Sequence, residues 1–116
     1  MPNSQKDFYK KLLGKKGERK ALRYLKRQGY KLLEKNYCTP FGEADLVFSY
    51  AQEVVFVEVK TRISAGFAEA RVAVNREKQE RYRKIALYYG EGAELNARFD
   101  VVEVYPDRIV HIPNAF

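Results

Sequence analysis

Two carboxylates and an ammonium stand where a folded chain can least easily keep charges. The run Val54-Val55-Phe56-Val57-Glu58-Val59-Lys60-Thr61 is apolar enough to be a buried strand, yet it carries Glu58 and Lys60. Ionised groups are costly to bury unless they are paired or bound to a metal. Side chains alternate along a strand, so Val55, Val57 and Val59 take one face while Phe56, Glu58 and Lys60 take the other. Upstream, Phe41-Gly42-Glu43-Ala44-Asp45-Leu46-Val47-Phe48 is a second strand-like run with its own acid, set off by a short polar connection of hairpin spacing. Antiparallel pairing of the two brings Asp45 and Glu58 onto one patch beside Lys60, giving two oxygen ligands for a hard cation and a neighbouring positive donor. That set suits phosphodiester hydrolysis: Asp45 and Glu58 hold Mg²⁺ or Mn²⁺, and Lys60 orients the attacking water or stabilises the developing charge. The plainer alternative makes Glu58 and Lys60 outward residues of a partly exposed strand and puts Asp45 at a turn.

The elements that must position these groups follow from periodicity. A helix is expected from about Gly14 to Gln28, with Ala21, Leu22 and Leu25 as its apolar stripe and Gly29 at its C-terminal cap. Residues 1–13 either extend that helix or fray. Glu18 falls on the stripe, which points it toward the core; an ion pair with Arg19 or Arg23 is the ordinary alternative. Tyr30 to Tyr37 reads as a first strand, followed by a turn at Thr39-Pro40-Phe41-Gly42 and then by the Asp45 and Glu58 strands. Arg62 to Phe67 breaks periodicity and is expected to be a loop at the rim of the patch. A second helix, starting at about Glu69 or Asn75 and ending at Tyr89 before Gly90, carries Val74, Tyr82, Ile85, Ala86 and Tyr89 on its stripe. Lys78 lies on that stripe too, and either faces the patch or snorkels to solvent. Ala97–Tyr105 and Arg108–Ile112 form a terminal hairpin around Pro106-Asp107. The order α-β-β-β-α-β-β implies an α/β sandwich or an α+β sheet, and a mixed sheet, because the second helix is long enough for a parallel crossover.

At 116 residues the chain reads as one domain, 1–116, with one core. No apolar run approaches the roughly 18 residues of a membrane span, and the basic N-terminus lacks the apolar middle of a signal peptide, so a cytoplasmic protein without membrane association is expected. A single cysteine, Cys38, excludes an internal disulfide and a cysteine-based zinc site, and a single histidine, His111, leaves little for a histidine base. The net charge of +7 is uneven: residues 1–39 hold 12 Lys/Arg against 3 acids, and residues 40–116 hold 10 against 12. A field confined to the N-terminal third suggests a polyanion partner, or else a solvated basic helix face. Lys20, Arg23 and Arg27 on the first helix, Arg62 in the rim loop, and Arg76 and Arg81 on the second helix are the candidate phosphate contacts.

Asp45 followed by Glu58-Val59-Lys60 at the end of an apolar strand resembles the PD-(D/E)XK nuclease signature found in many restriction enzymes and archaeal Holliday-junction resolvases. Nearly the whole chain is similar to the YraN family of uncharacterised bacterial proteins within that superfamily. The likeness runs through Gly17-Glu18, Gly42-Glu43-Ala44-Asp45-Leu46, Val57-Glu58-Val59-Lys60-Thr61-Arg62, Ala73-Val74 with Lys78, Arg98-Phe99-Asp100-Val101-Val102 and His111-Ile112-Pro113-Asn114-Ala115-Phe116. Ala44 stands where the name-giving pattern has proline, which is not a ligand. The resemblance implies a restriction-endonuclease-like fold and a site assembled from Glu18, Asp45, Glu58 and Lys60, with Lys78 as a helix-borne addition. It also implies a metal-dependent endonuclease acting on DNA, branched DNA included, or on another nucleic acid. A catalytically silent nucleic-acid-binding module with the same fold, or a basic structural protein of a ribonucleoprotein, is the alternative. A homodimer is an assembly this reading leaves open.

Overall fold

The seven elements run in the order read from the sequence: α1 (Ser4–Arg27), β1 (Lys31–Thr39), β2 (Gly42–Tyr50), β3 (Glu53–Thr61), α2 (Arg76–Tyr89), β4 (Ala97–Val104) and β5 (Ile109–Ile112). The computed structural model describes residues 4–62 and 75–116. The strands lie in one sheet in the order β1-β2-β3-β4-β5, antiparallel throughout except for the parallel pair β3 and β4. That single parallel pair is what the crossover through α2 requires.

Strand alternation gives the sheet two apolar faces. On one, Leu46, Phe48, Val55, Val57, Val102 and Val104 pack under Ala21 and Leu25 of α1. On the other, Ala44, Val47 and Phe56 pack under Tyr82, Ile85 and Ala86 of α2. Each fully buried Leu, Ile, Val or Phe in these layers contributes about 1.5–3 kcal/mol, so both helices are fixed by burial on opposite faces of the strands that carry the acids. Gly17 lets α1 come down onto β3, since a Cβ there would overlap Thr61 Oγ1.

The structure settles two boundaries that the sequence left open and moves a third. Helix α1 begins at Ser4, so the described part of residues 1–13 extends the helix rather than fraying from it, because nothing in that lysine-rich stretch stops a helix; Phe8, Tyr9 and Leu12 on it remain exposed. Strand β1 runs on to Thr39, where the Thr39 hydroxyl bonds Gly42 O and Phe41 N–H and closes the turn. Helix α2 is capped by Asn75, whose side chain accepts from Lys78 N–H at 2.8 Å. The expected rim loop beyond Arg62, through Phe67, and the positions Glu69, Ala73 and Val74 lie outside the described residues. No helix among the described residues is long and apolar enough to cross a membrane.

Candidate functional site

The site is built where regular strand pairing fails. The β1–β2 register flanks Asn36 with Lys35↔Leu46 and Tyr37↔Ala44, which leaves Asn36 opposite Asp45. Asn36 takes a left-handed φ of 47°, a conformation Asn tolerates better than most residues. Leu46 packs toward α1 and Ala44 toward α2, although two residues two apart share a face in a regular strand. The kink falls on Asp45. On the other side the β2–β3 pairs end at Leu46↔Val57, and the Asp45 carboxylate, through Oδ2, accepts the Val59 N–H at 2.8 Å. An acid side chain has replaced a ladder carbonyl, which ties Asp45 directly to the Glu58 strand.

Glu58 follows the predicted parity. Like Phe56 it faces α2, and its carboxylate is held by three groups. Tyr82 donates its hydroxyl to Oε1 at 2.7 Å, Lys78 Nζ donates to Oε2 at 2.8 Å, and Lys60 Nζ lies 3.5 Å from Oε2. Lys78 and Tyr82 are one turn apart on α2, so one helix face delivers both. The alternative in which Lys78 snorkels to solvent does not occur.

The charges push one another in opposite directions. Burial, then the Glu58 charge, lifts the Asp45 carboxyl to about 7, with Glu18 adding to the effect. Burial pushes Glu58 the same way, but the hydrogen bonds from Lys78 and Tyr82 and the two lysine charges outweigh it and leave that carboxyl below its usual range. Burial and the neighbouring Lys78 bring the Lys60 ammonium below its ordinary value against the pull of Glu58. Lys78 is opposed by burial but raised by Glu58. The two neighbouring carboxyls are thus driven apart in their affinity for protons, Asp45 upward and Glu58 downward.

Glu18 enters from α1 at the edge of this group. Its Oε1 accepts from Asn36 Nδ2 at 3.0 Å, and no ion pair with Arg19 or Arg23 forms among the described residues. Around it Lys15, Arg19, Lys35 and Asn36 line a cavity of about 130 Å³. The basic residues singled out from the sequence lie elsewhere. Lys20, Arg23 and Arg27 line one groove beside Ile109 of β5, on the side of α1 away from Glu18. Arg62 pairs with the buried Glu103 at 3.4 Å, Arg81 lays its side chain over Gly42, and Arg76 is exposed at the start of α2. His111 is bound to Asp100 at 2.7 Å, and Asp100 also pairs with Arg98.

Two residues that complete the site were not singled out as functional from the sequence. Tyr82 was legible only as part of an apolar stripe, although its place one turn after Lys78 points its polar tip the same way. Asn36 gave no signal, because its part depends on a left-handed backbone inside a strand. Among the described residues no group of three or more His, Cys, Asp or Glu side chains is disposed to hold a metal ion.

The family model described as "Uncharacterised protein family UPF0102" matches residues 17–104, a span that includes Glu18, Asn36, Asp45, Glu58, Lys60, Lys78 and Tyr82. A UPF0102 protein of Thermodesulfovibrio yellowstonii is 45% identical over 106 residues, covering 90% of this chain and 95% of its own length. Relatives described in the same way from Caldanaerobacter subterraneus and Geobacter sulfurreducens are 42% and 40% identical, over 96% and 100% of this chain and 99% and 97% of their own. The chain that brings Asp45, Glu58, Lys60 and Lys78 together between sheet and helix belongs to the uncharacterised protein family UPF0102.

Proposed function

We propose that this protein is a metal-dependent nuclease of restriction-endonuclease-like fold that hydrolyses phosphodiester bonds in DNA, branched DNA included. One observation carries the reading: the Asp45 carboxylate, tied to the Val59 N–H, sits close enough to Glu58 for that charge to raise it, and Lys60 and Lys78 both pair with Glu58. The donor set fits a hard cation, since it is all oxygen and its mutual repulsion is what a bound Mg²⁺ or Mn²⁺ relieves. Asp45 and Glu58 would hold that ion, which when bound supplies a Lewis acid for a phosphoryl oxygen. Lys78 and Tyr82 keep Glu58 ionised and fixed in orientation. Lys60 Nζ, made less basic by burial and by Lys78, orients the attacking water and exchanges its proton. Glu18, held by Asn36, bounds the cavity in which Lys15, Arg19 and Lys35 take the flanking phosphates.

A second reading has its own observation. Both Glu58 oxygens already have protein partners, which suits a nucleic-acid-binding module that keeps the fold without turnover. The deciding experiment offers linear, flapped and four-way DNA to the protein with Mg²⁺, Mn²⁺ or EDTA. Cleavage is expected with metal and should vanish in Glu58→Gln while DNA affinity persists. Normal cleavage by Glu58→Gln would overturn the nuclease reading. Tight binding with no cleavage of any substrate by the wild type would favour the silent module.

A further inference from the structure

Residues 113–116 follow β5 and run back along β4. Asn114, at φ 51°, donates its N–H to Asp100 Oδ1 at 3.0 Å, and Ala115 donates its N–H to Phe99 O at 2.7 Å. These two tethers carry the segment from the α1 face of the sheet to the α2 face. There the half-buried Phe116 ring stacks on Phe99, with centroids 5.2 Å apart and planes at 17°, and meets Tyr82 edge-on at 5.7 Å and 73°. Phe99 touches the same tyrosine edge-on at 6.4 Å. Two aromatic rings thus set the plane of a third. The third delivers its hydroxyl to Glu58 Oε1.

The other groups on Glu58 are ammoniums at the ends of long flexible stems, which fix charge better than direction. A phenol on a two-torsion side chain wedged between rings fixes direction. We infer that Phe116 is a positioning residue for the candidate metal site: acting through Tyr82, it sets the orientation of the Glu58 carboxylate. Asp100 is its anchor, since the carboxylate that takes the Asn114 N–H is itself clamped by Arg98 and His111. This rests on reading Glu58 as a cation ligand, and the experiment separates the two ideas.

Mn²⁺ affinity is measured by calorimetric titration of the full chain, with Tm recorded for each variant. Phe116→Ala should weaken Mn²⁺ binding by about tenfold, the scale on which groups supporting a ligand act, whereas Phe116→Tyr, which keeps the ring, should stay within about twofold. In a Tyr82→Phe background the effect of Phe116→Ala on Mn²⁺ should disappear while its effect on Tm persists. A purely structural role would lower Tm and leave Mn²⁺ affinity unchanged in both backgrounds. If the alanine variant does not fold, Phe116→Leu keeps most of the volume without the flat ring and gives the same comparison. Wild-type Mn²⁺ binding with equal affinity in the Phe116 variants, or an equal loss in both backgrounds, would overturn the inference alone. A wild type that binds no Mn²⁺ would overturn the metal site and the inference with it.

Discussion

Replacing Tyr82 by phenylalanine removes one oxygen from the centre of the site and little else. Tyr82 is 1% exposed, and its ring contacts Phe99 and Phe116 through carbon, so packing survives the change. Its hydroxyl lies 2.7 Å from Glu58 Oε1. A hydrogen bond to a charged acceptor contributes about 1.5–3 kcal/mol, and among the described residues Tyr82 is the donor to that oxygen. A loss of about 2 kcal/mol is therefore expected. In a chain of this size 1 kcal/mol moves Tm by about 3–6 °C, so Tyr82→Phe should melt about 6–12 °C lower in EDTA. Mn²⁺ affinity should fall by about 10–100-fold, because the group that orients Glu58 is gone. Thermal melts in EDTA followed by Mn²⁺ titration measure both quantities. An unchanged Tm together with unchanged Mn²⁺ affinity would refute the claim that the phenol holds Glu58.

Three other outcomes follow from particular contacts. Burial would raise the Asp100 carboxyl, but the hydrogen bonds from His111, Arg98 and the Asn114 N–H hold it below the usual range; its stabilisation is complete above the unfolded pKa of about 3.9 and is lost as pH falls through the folded value. Asp100→Asn should accordingly melt lower than wild type at pH 7 and lose less Tm below about pH 4, and parallel acid slopes would count against this. Gly17→Ala should cost about 1–3 kcal/mol despite alanine's better helix propensity, because its Cβ meets Thr61 Oγ1; adding Thr61→Ala should recover part of the loss, and a raised Tm in the single variant would contradict the close approach. Neutralising Lys15, Arg19 and Lys35 should flatten the dependence of log DNA affinity on log salt more than neutralising Lys20, Arg23 and Arg27, since only the first set rings Glu18; equal slopes in titrations of labelled DNA would show that the position of the charge does not matter.

Strand periodicity and spacing alone determined a good deal of this protein. The parity of Val55, Val57, Phe56 and Glu58 assigned each to the face it occupies, and the helix between the Glu58 strand and Ala97–Val104 was long enough to dictate the parallel pair β3–β4. Both are local rules: alternation and connection length act within a few residues or across one crossover. The stripe on α2 put Lys78 on the side of the sheet but left its ammonium free to snorkel, and the contact with Glu58 was settled by the tertiary structure. Only the tertiary structure decided the rest, because it depends on contacts between residues far apart in the chain. Asp45 owes its position to a kink shared with Asn36 and to the Val59 N–H it takes from another strand. Tyr82 became a polar member of the site by meeting Glu58 across the gap between helix and sheet. Helical spacing already set Lys15 and Arg19 on the side of α1 that carries Glu18 and Lys20, Arg23 and Arg27 on the other, but where each side points depended on how the helix is rotated about its axis. That rotation was fixed by burying Ala21 and Leu25 and by Gly17 closing on Thr61.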